Sequence, residues 1–297
     1  MQQFSIRDLE HFSGIKAHTI RMWEQRYQLL EPHRTPTNIR YYSGDHLKSL
    51  LNIGMLLDSG MRISQIAGLS HEEITERVGA IQQEASTEQA IFNALKVSML
   101  NYDEALFRTI SDAAIANRGF DGTVEEIYLP FLGQMGMLWL TNAICPAQEH
   151  FFSHLLREQL MSYSKEMGPV LDPNAPVWVL YLPEREMHDL SLLYFHVLAR
   201  RRGIRSIFLG ANVPFEDLET MGHQFEQVRF VSYCTTFPAP GDAAMYVERL
   251  THAFGSTLHK AYLGGRVFAD LTSTEVVFVA ADGGALAKGL FATPAPV

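Results

Sequence analysis

The 297-residue sequence predicts a multidomain chain of three parts: an α-helical DNA-reading unit, a four-helix bundle, and an α/β unit on a five-stranded parallel sheet. Three observations carry that expectation. The length suits about two or three domains of ordinary size. The first 75 residues hold short helical patterns broken by Gly14, Pro32 and Pro36, whereas residues 80–167 repeat apolar positions at helical steps with little strand signal. Beyond the turn-rich stretch from Gly168-Pro169 to Pro176, short apolar runs alternate with helical patterns. The expected boundaries are therefore 1–75, 80–167 and 176–297.

Each element has a local reason. Ser5-Ile6-Arg7-Asp8 is a capping-box pattern that opens a short helix, and Gly14 can end it. Ile15 to Tyr27 carries Ile15, Ile20 and Trp23 at helical spacing. Glu31-Pro32 and Thr35-Pro36-Thr37-Asn38 are loop chemistry. Ser43 or Asp45 can cap a third helix through Leu57, and Ile63 to Val78 forms a fourth. In the bundle, Ile91, Leu95, Val97 and Leu106 recur at helical spacing, and Pro130 and Pro146 punctuate the run. Strands are expected at Val177–Leu182, Ser206–Leu209, Phe230–Cys234, Ala261–Leu263 and Val276–Val279. Helical patterns at 188–202, 214–227 and 241–254 separate the first four, which implies parallel pairing and helices on both faces. Ligands of such sheets sit beyond the carboxyl ends of the strands.

Apolar residues make up 47% and charged residues 19%, enough for a sizeable core and unlike a disordered chain. No run of roughly 18 apolar residues occurs, so no membrane span is expected. Met1 to Ser5 lack a basic segment followed by an apolar one, so no secretory leader is expected. The two cysteines, Cys145 and Cys234, lack metal-ligand spacing and fit a reducing, cytoplasmic setting. No nucleophile–base pair, phosphate-binding glycine loop with lysine, or pair of carboxylates at useful spacing is visible, so no enzymatic activity is expected. The net charge is −9, yet residues 1–70 hold eight basic side chains against six acidic ones. The N-terminal part is thus the one suited to an anionic partner.

Two short helices joined at Gly14 suggest a helix-turn-helix, whose second helix would present Lys16, His18, Thr19 and Arg21 to a major groove. The following loop holds Arg34, Asn38 and Arg40 beside Tyr41-Tyr42, groups that suit phosphate. The alternative is a solvated face on which these cations pair with Glu24 and Glu31. Ser5-Ile6-Arg7-Asp8-Leu9, Gly14-Ile15, Thr19-Ile20-Arg21-Met22-Trp23-Glu24 and Arg40-Tyr41-Tyr42 together resemble the MerR-type winged helix over about 70 residues. The resemblance implies dimeric binding to paired half-sites of double-stranded operator DNA. It implies contacts from Arg21, Arg26, Tyr27, Arg34, Arg40 and Tyr41, with Leu9 and Trp23 as core. MerR proteins usually continue into one long dimerisation helix, and this chain has a helical bundle there instead.

The remaining signals lie farther along the chain. His188 follows the first strand of the α/β unit, and Glu186 two residues before it could orient the ring. One imidazole holds a free metal ion poorly, but it can supply an axial bond to a metal already held by a macrocycle. Ser232 ends the third strand and Gly264-Gly265 follows the fourth, small residues that leave room for a bulky group along the sheet edge. In the bundle stand Trp139 and, after nine intervening residues, Glu149-His150. Met135, Met137 and Met187 read as packing residues.

Glu186, His188, Ser232 and Gly264-Gly265 resemble the cobalamin-binding, Rossmann-like fold of methionine synthase and the mutases. That family has a glycine where this chain has Ser191, which adds a hydroxymethyl group where the corrin or its nucleotide tail would pass. The Trp139 and Glu149-His150 pattern, with the order of the three parts, resembles the CarH/LitR class of light-sensing MerR-type repressors. This resemblance implies adenosylcobalamin as cofactor, His188 as cobalt axial ligand, Trp139 packed on the adenosyl group, and a homo-oligomer, dimer or tetramer. It further implies that the cofactor drives assembly on DNA in the dark and that light cleaves the cobalt–carbon bond. Ser191 leaves a second reading open: a MerR-type regulator that has lost cobalamin and senses another ligand or a partner. A corrinoid methyl carrier is a third, and the winged-helix pattern argues against it.

Overall fold

The computed structural model describes residues 3–83, 88–140, 144–239 and 241–292. It divides into two compact units, residues 1–155 and 156–297.

In the first unit, α1 (Ile6–Ser13) begins at Ser5, whose hydroxyl accepts from the Asp8 amide while the Asp8 carboxylate accepts from the Ser5 amide. Gly14 ends it in the left-handed conformation, φ 73°, as the sequence predicts. The helix α2 (Ala17–Tyr27) buries Ile20 and Trp23. Strands β1 (His33–Arg34) and β2 (Arg40–Tyr41) pair antiparallel as a small wing, and a Phe4–Tyr42 bridge ties its base to the chain start. Ser43 caps α3 (Gly44–Asp58) with His46 closing the capping box. The helix expected from Ile63 to Val78 is two helices, α4 (Ile63–Ile66) and α5 (His71–Gln83). Ser70 and Glu73 form a reciprocal capping box at the break, so Ser70-His71-Glu72-Glu73 was a legible start signal.

The bundle comprises α6 (Glu88–Asn101), α7 (Glu104–Thr123), a π-helical turn at Val124–Tyr128, α8 (Leu129–Leu140) and α9 (Pro146–Met167). Gly119, at φ 73°, kinks α7. Aromatic rings fill the centre, with Phe131 and Phe152 centroids 4.7 Å apart. Lys96 on α6 is buried, and its Nζ donates to the Phe12 carbonyl, 2.7 Å away near the end of α1. Burial brings its ammonium pKa down to about 8.

The second unit takes in the end of α9 and then β3 (Val177–Pro183), α10 (Leu190–Arg201), β4 (Arg205–Val213), α11 (Phe215–Gly222), β5 (Arg229–Tyr233), α12 (Ala243–Phe254), β6 (Lys260–Gly264), β7 (Val277–Ala280) and α13 (Gly283–Ala292). The five strands are parallel in the order β4-β3-β5-β6-β7. All five strands were legible; α13 was not, because its three glycines dilute the helical pattern. Val179, Tyr181, Phe230, Ala261 and Leu263 pack with α11 and α12 on one face. On the other face, Trp178 stacks near Phe291 of α13, and Arg229 donates to the Leu290 carbonyl. The strand order reverses between β3 and β5, so the ligand crevice of this architecture opens between the loops that follow them.

Candidate functional site

Two groups of side chains stand out. The first is on α2 and the wing. Lys16, His18, Arg21, Arg26, Arg34 and Arg40 are exposed, and Thr19, Tyr27 and Tyr41 are half-buried. Leu9 and Trp23 lie beneath them as core. Lys16 does not extend freely: its Nζ lies 3.1 Å from Glu10, whose carboxylate also accepts from the Ala17 amide at the start of α2. Those two bonds, the Lys16 one first, hold the Glu10 carboxyl below its usual value. Arg34 donates to the Asn38 side chain across the wing turn, and the Arg26 guanidinium lies 5.4 Å from the centre of the Tyr27 ring. Glu24 accepts a 2.5 Å hydrogen bond from the Tyr42 hydroxyl, which ties α2 to the wing. No local pattern signals that bond, since it joins residues eighteen positions apart.

The second group lies at the carboxyl edge of the sheet. Glu186 follows β3 and is fully buried. Its carboxylate accepts from the amides of Met187, His188, Thr235, Thr236 and Phe237 at 2.6–3.0 Å, and from the Thr236 hydroxyl. His188 Nδ1 lies 2.6 Å from the same carboxylate. Burial by itself raises the Glu186 pKa; the His188 bond and the amides of Phe237, Thr236 and His188 outweigh it and hold the group well below the usual carboxylate range. An ionised carboxylate only accepts, so Nδ1 is the donor and the lone pair of a neutral His188 ring is on Nε2. The His188 side chain is 56% exposed.

The neighbouring backbone is fixed as well. Arg185 and Asn212 both take left-handed conformations, φ 72° and 59°, and the Arg185 amide donates to Asn212 Oδ1 at 2.9 Å. The β3–β4 register shifts twice, and Asn212 lies within the second shift, between the pairs Tyr181–Gly210 and Pro183–Val213. Asp189 is held by both terminal nitrogens of Arg157, at 2.6 and 2.7 Å. Ser191 lies half-buried in the first turn of α10. Met187 is exposed rather than packed, because the tight Glu186–His188 turn points it outward; Met135 is buried as expected.

Among the described residues, no cluster of three or more His, Cys, Asp or Glu side chains could hold a bare metal ion. His188, exposed and oriented from below by Glu186, suits one axial bond to a metal within a macrocycle. The other end of the predicted site is different. Ser232 is fully buried, its hydroxyl 3.4 Å from Cys234 Sγ. A methyl group placed on Gly264 would lie 2.7 Å from Leu286 Cδ2 and 2.9 Å from Tyr233 Cδ2. One placed on Gly265 would meet the Cys234 carbonyl at 1.9 Å. Atoms of the chain itself therefore stand where the two glycines were expected to leave space. In the helical unit, Glu149 lies 2.7 Å from His150 Nδ1 and accepts from Ser153, and His150 is exposed. Trp139 is on α8, and its side chain, like that of Met137, lies outside the described residues.

Residues 4–73 match the family model of the MerR HTH family regulatory protein, and residues 91–161 match that of a B12 binding domain. The chain is a MerR-type helix-turn-helix regulator carrying a B12-binding domain. It is homologous to two Myxococcus xanthus proteins, the HTH-type transcriptional repressors CarH and CarA. CarH is 28% identical over 222 residues, 72% of this chain and 73% of CarH. CarA is 28% identical over 221 residues, 72% of this chain and 70% of CarA. These matches set it among transcriptional regulators rather than enzymes. The Methanosarcina barkeri monomethylamine corrinoid protein shares the fold at a TM-score of 0.55 and 15% identity, over 70% of this chain and 100% of that one. No described helix is long and apolar enough to cross a membrane.

Proposed function

We propose that this regulator is a cytoplasmic repressor that binds double-stranded operator DNA as a homo-oligomer and is controlled by cobalamin held through His188. The buried Glu186 carboxylate fixing an exposed imidazole is the observation that carries the reading. On DNA, Lys16, His18, Thr19 and Arg21 would face the major groove, with Arg26 and Tyr27 farther along α2. Arg34, Arg40 and Tyr41 would meet the backbone or minor groove from the wing. Glu186, Ser191, Ser232, Gly264 and Gly265 on the α/β unit, and Trp139, Glu149 and His150 on the helical unit, are the proposed cofactor residues, with His188 as cobalt ligand. Adenosylcobalamin is the form that would bring a light-labile cobalt–carbon bond and make the response photosensory. Ligand-dependent oligomerisation would then set avidity for paired half-sites.

Purified protein mixed with adenosylcobalamin in the dark is expected to turn red, with a visible spectrum that His188→Ala alters. It is also expected to bind a defined duplex, with affinity falling as salt rises. An unchanged spectrum and gel-filtration volume with cobalamin, in dark and light, would remove the cofactor and leave the DNA reading standing. The filled space beside Gly264 and the hydroxymethyl group of Ser191 favour a second reading, in which the same regulator answers to a different ligand or partner.

A further inference from the structure

The space beside Gly264 is closed by a defined set of side chains. Tyr233, the last residue of β5, lies against Gly264 of β6 and reaches toward Gly283 at the start of α13, where a methyl group would be 3.7 Å from its Cε2. Leu286 of α13, fully buried, covers the other flank of Gly264. Phe195 of α10 is buried too, its ring centroid 6.2 Å from that of Tyr233. These residues come from β5, α10 and α13, so they fill the groove between the two helices on one face of the sheet. Tyr233 ends β5, which neighbours β3, so it stands at the same carboxyl edge of the sheet as His188.

The chemistry of a complete cobalamin makes the closure consequential. Were His188 to hold the cobalt, the nucleotide tail of a complete cobalamin would have to find room along the protein. A groove packed by two rings and a leucine resists such a chain, because inserting atoms into a filled core forces neighbours off their rotamers. We propose that Tyr233 is a specificity-determining plug, and that this site takes a corrinoid lacking the nucleotide tail in preference to complete cobalamin. The inference rests on the reading of His188 as axial ligand. It names the class of corrinoid that the ligand would select.

The test compares adenosylcobinamide with adenosylcobalamin, which share the corrin and adenosyl group and differ in the tail. Each is titrated in the dark into the full-length protein, followed by visible absorption. The wild-type chain should bind adenosylcobinamide at least about tenfold more tightly. Tyr233→Gly should tighten adenosylcobalamin by about tenfold and leave adenosylcobinamide unchanged, while Tyr233→Phe, which keeps the ring, should retain the wild-type ratio. Equal binding of the two corrinoids by the wild-type chain overturns the plug while keeping His188 as ligand, and needs no variant to fold. A ratio that Tyr233→Gly leaves unmoved overturns it as well. No spectral change with either corrinoid at tens of micromolar overturns the axial-ligand reading itself, and the plug with it.

Discussion

On α2 and the wing, Arg21, Arg26, Arg34 and Arg40 stand exposed over an apolar floor that includes Leu9, Ile20 and Trp23. At the carboxyl edge of the sheet the arrangement is inverted: a single carboxylate, Glu186, is fully enclosed and satisfied by five amides, a hydroxyl and an imidazole. The first arrangement keeps charge in water, where it costs the fold little and remains available to a polyanion. The second removes charge from water, which is tolerable only because every lone pair has a donor. One region can therefore change its charges with small consequences for stability, and the other cannot.

The sharpest way to break that contrast is Glu186→Gln. An amide can accept fewer hydrogen bonds and places two donors among five backbone N–H groups. The expected loss is about 3 kcal/mol in urea unfolding, since each bond to the charged group contributes more than a neutral one. The pH dependence has a definite sign. The folded-state pKa of Glu186 lies below the unfolded 4.5, so its stabilisation is full above that value and is lost as pH falls through it. Wild-type stability should thus fall more steeply than that of Glu186→Gln between pH 5 and pH 3. Parallel curves would mean that the carboxylate is not the anchor of the loop.

Lys96 sharpens the comparison from the opposite direction, because it is a buried cation with one acceptor, the Phe12 carbonyl. Burial holds its folded pKa near 8 against 10.5, so the cost of the enclosed charge is present in full below about pH 8. Between those values the folded lysine is neutral while the unfolded one is protonated, and stability rises with pH. Relative to Lys96→Met, the wild-type chain should gain on the order of 3 kcal/mol from pH 8 to pH 10.5. A difference independent of pH would place the ammonium in contact with solvent.

What the sequence made legible follows the same division. The winged helix could be read because its restraints are local: Ser5 with Asp8, Gly14 at the turn, Ser43 capping α3. The parallel sheet could be read from its apolar runs and their helical spacers. Glu186 and His188 were legible as residues, but the donors that give the carboxylate its role lie 49 to 51 positions away, where no short-range pattern reaches. Lys96 was invisible for a related reason, since its partner is 84 residues off. Tyr233 gave no signal either: a tyrosine at the end of a strand is ordinary until the strand beside it ends in glycine.

The smallest stability effect belongs to the exposed cations, and it is the one that tests the other half of the contrast. Arg34 bonds across its own wing turn, to Asn38, and Arg40 is exposed on the paired strand. Replacing either by alanine should change unfolding free energy by no more than about 0.5 kcal/mol, as for surface positions generally. Yet each guanidinium that neutralises a phosphate releases condensed counterions, so each variant should lower the slope of log K against log salt by about 1. The affinity loss should be nearly the same on operator and on scrambled duplex, because backbone contacts position without specifying. Arg21→Ala, on the helix, should instead narrow the gap between the two duplexes. If Arg34→Ala and Arg40→Ala leave the salt slope untouched, the wing does not lie against the backbone, and its exposed charge is only a solvated face.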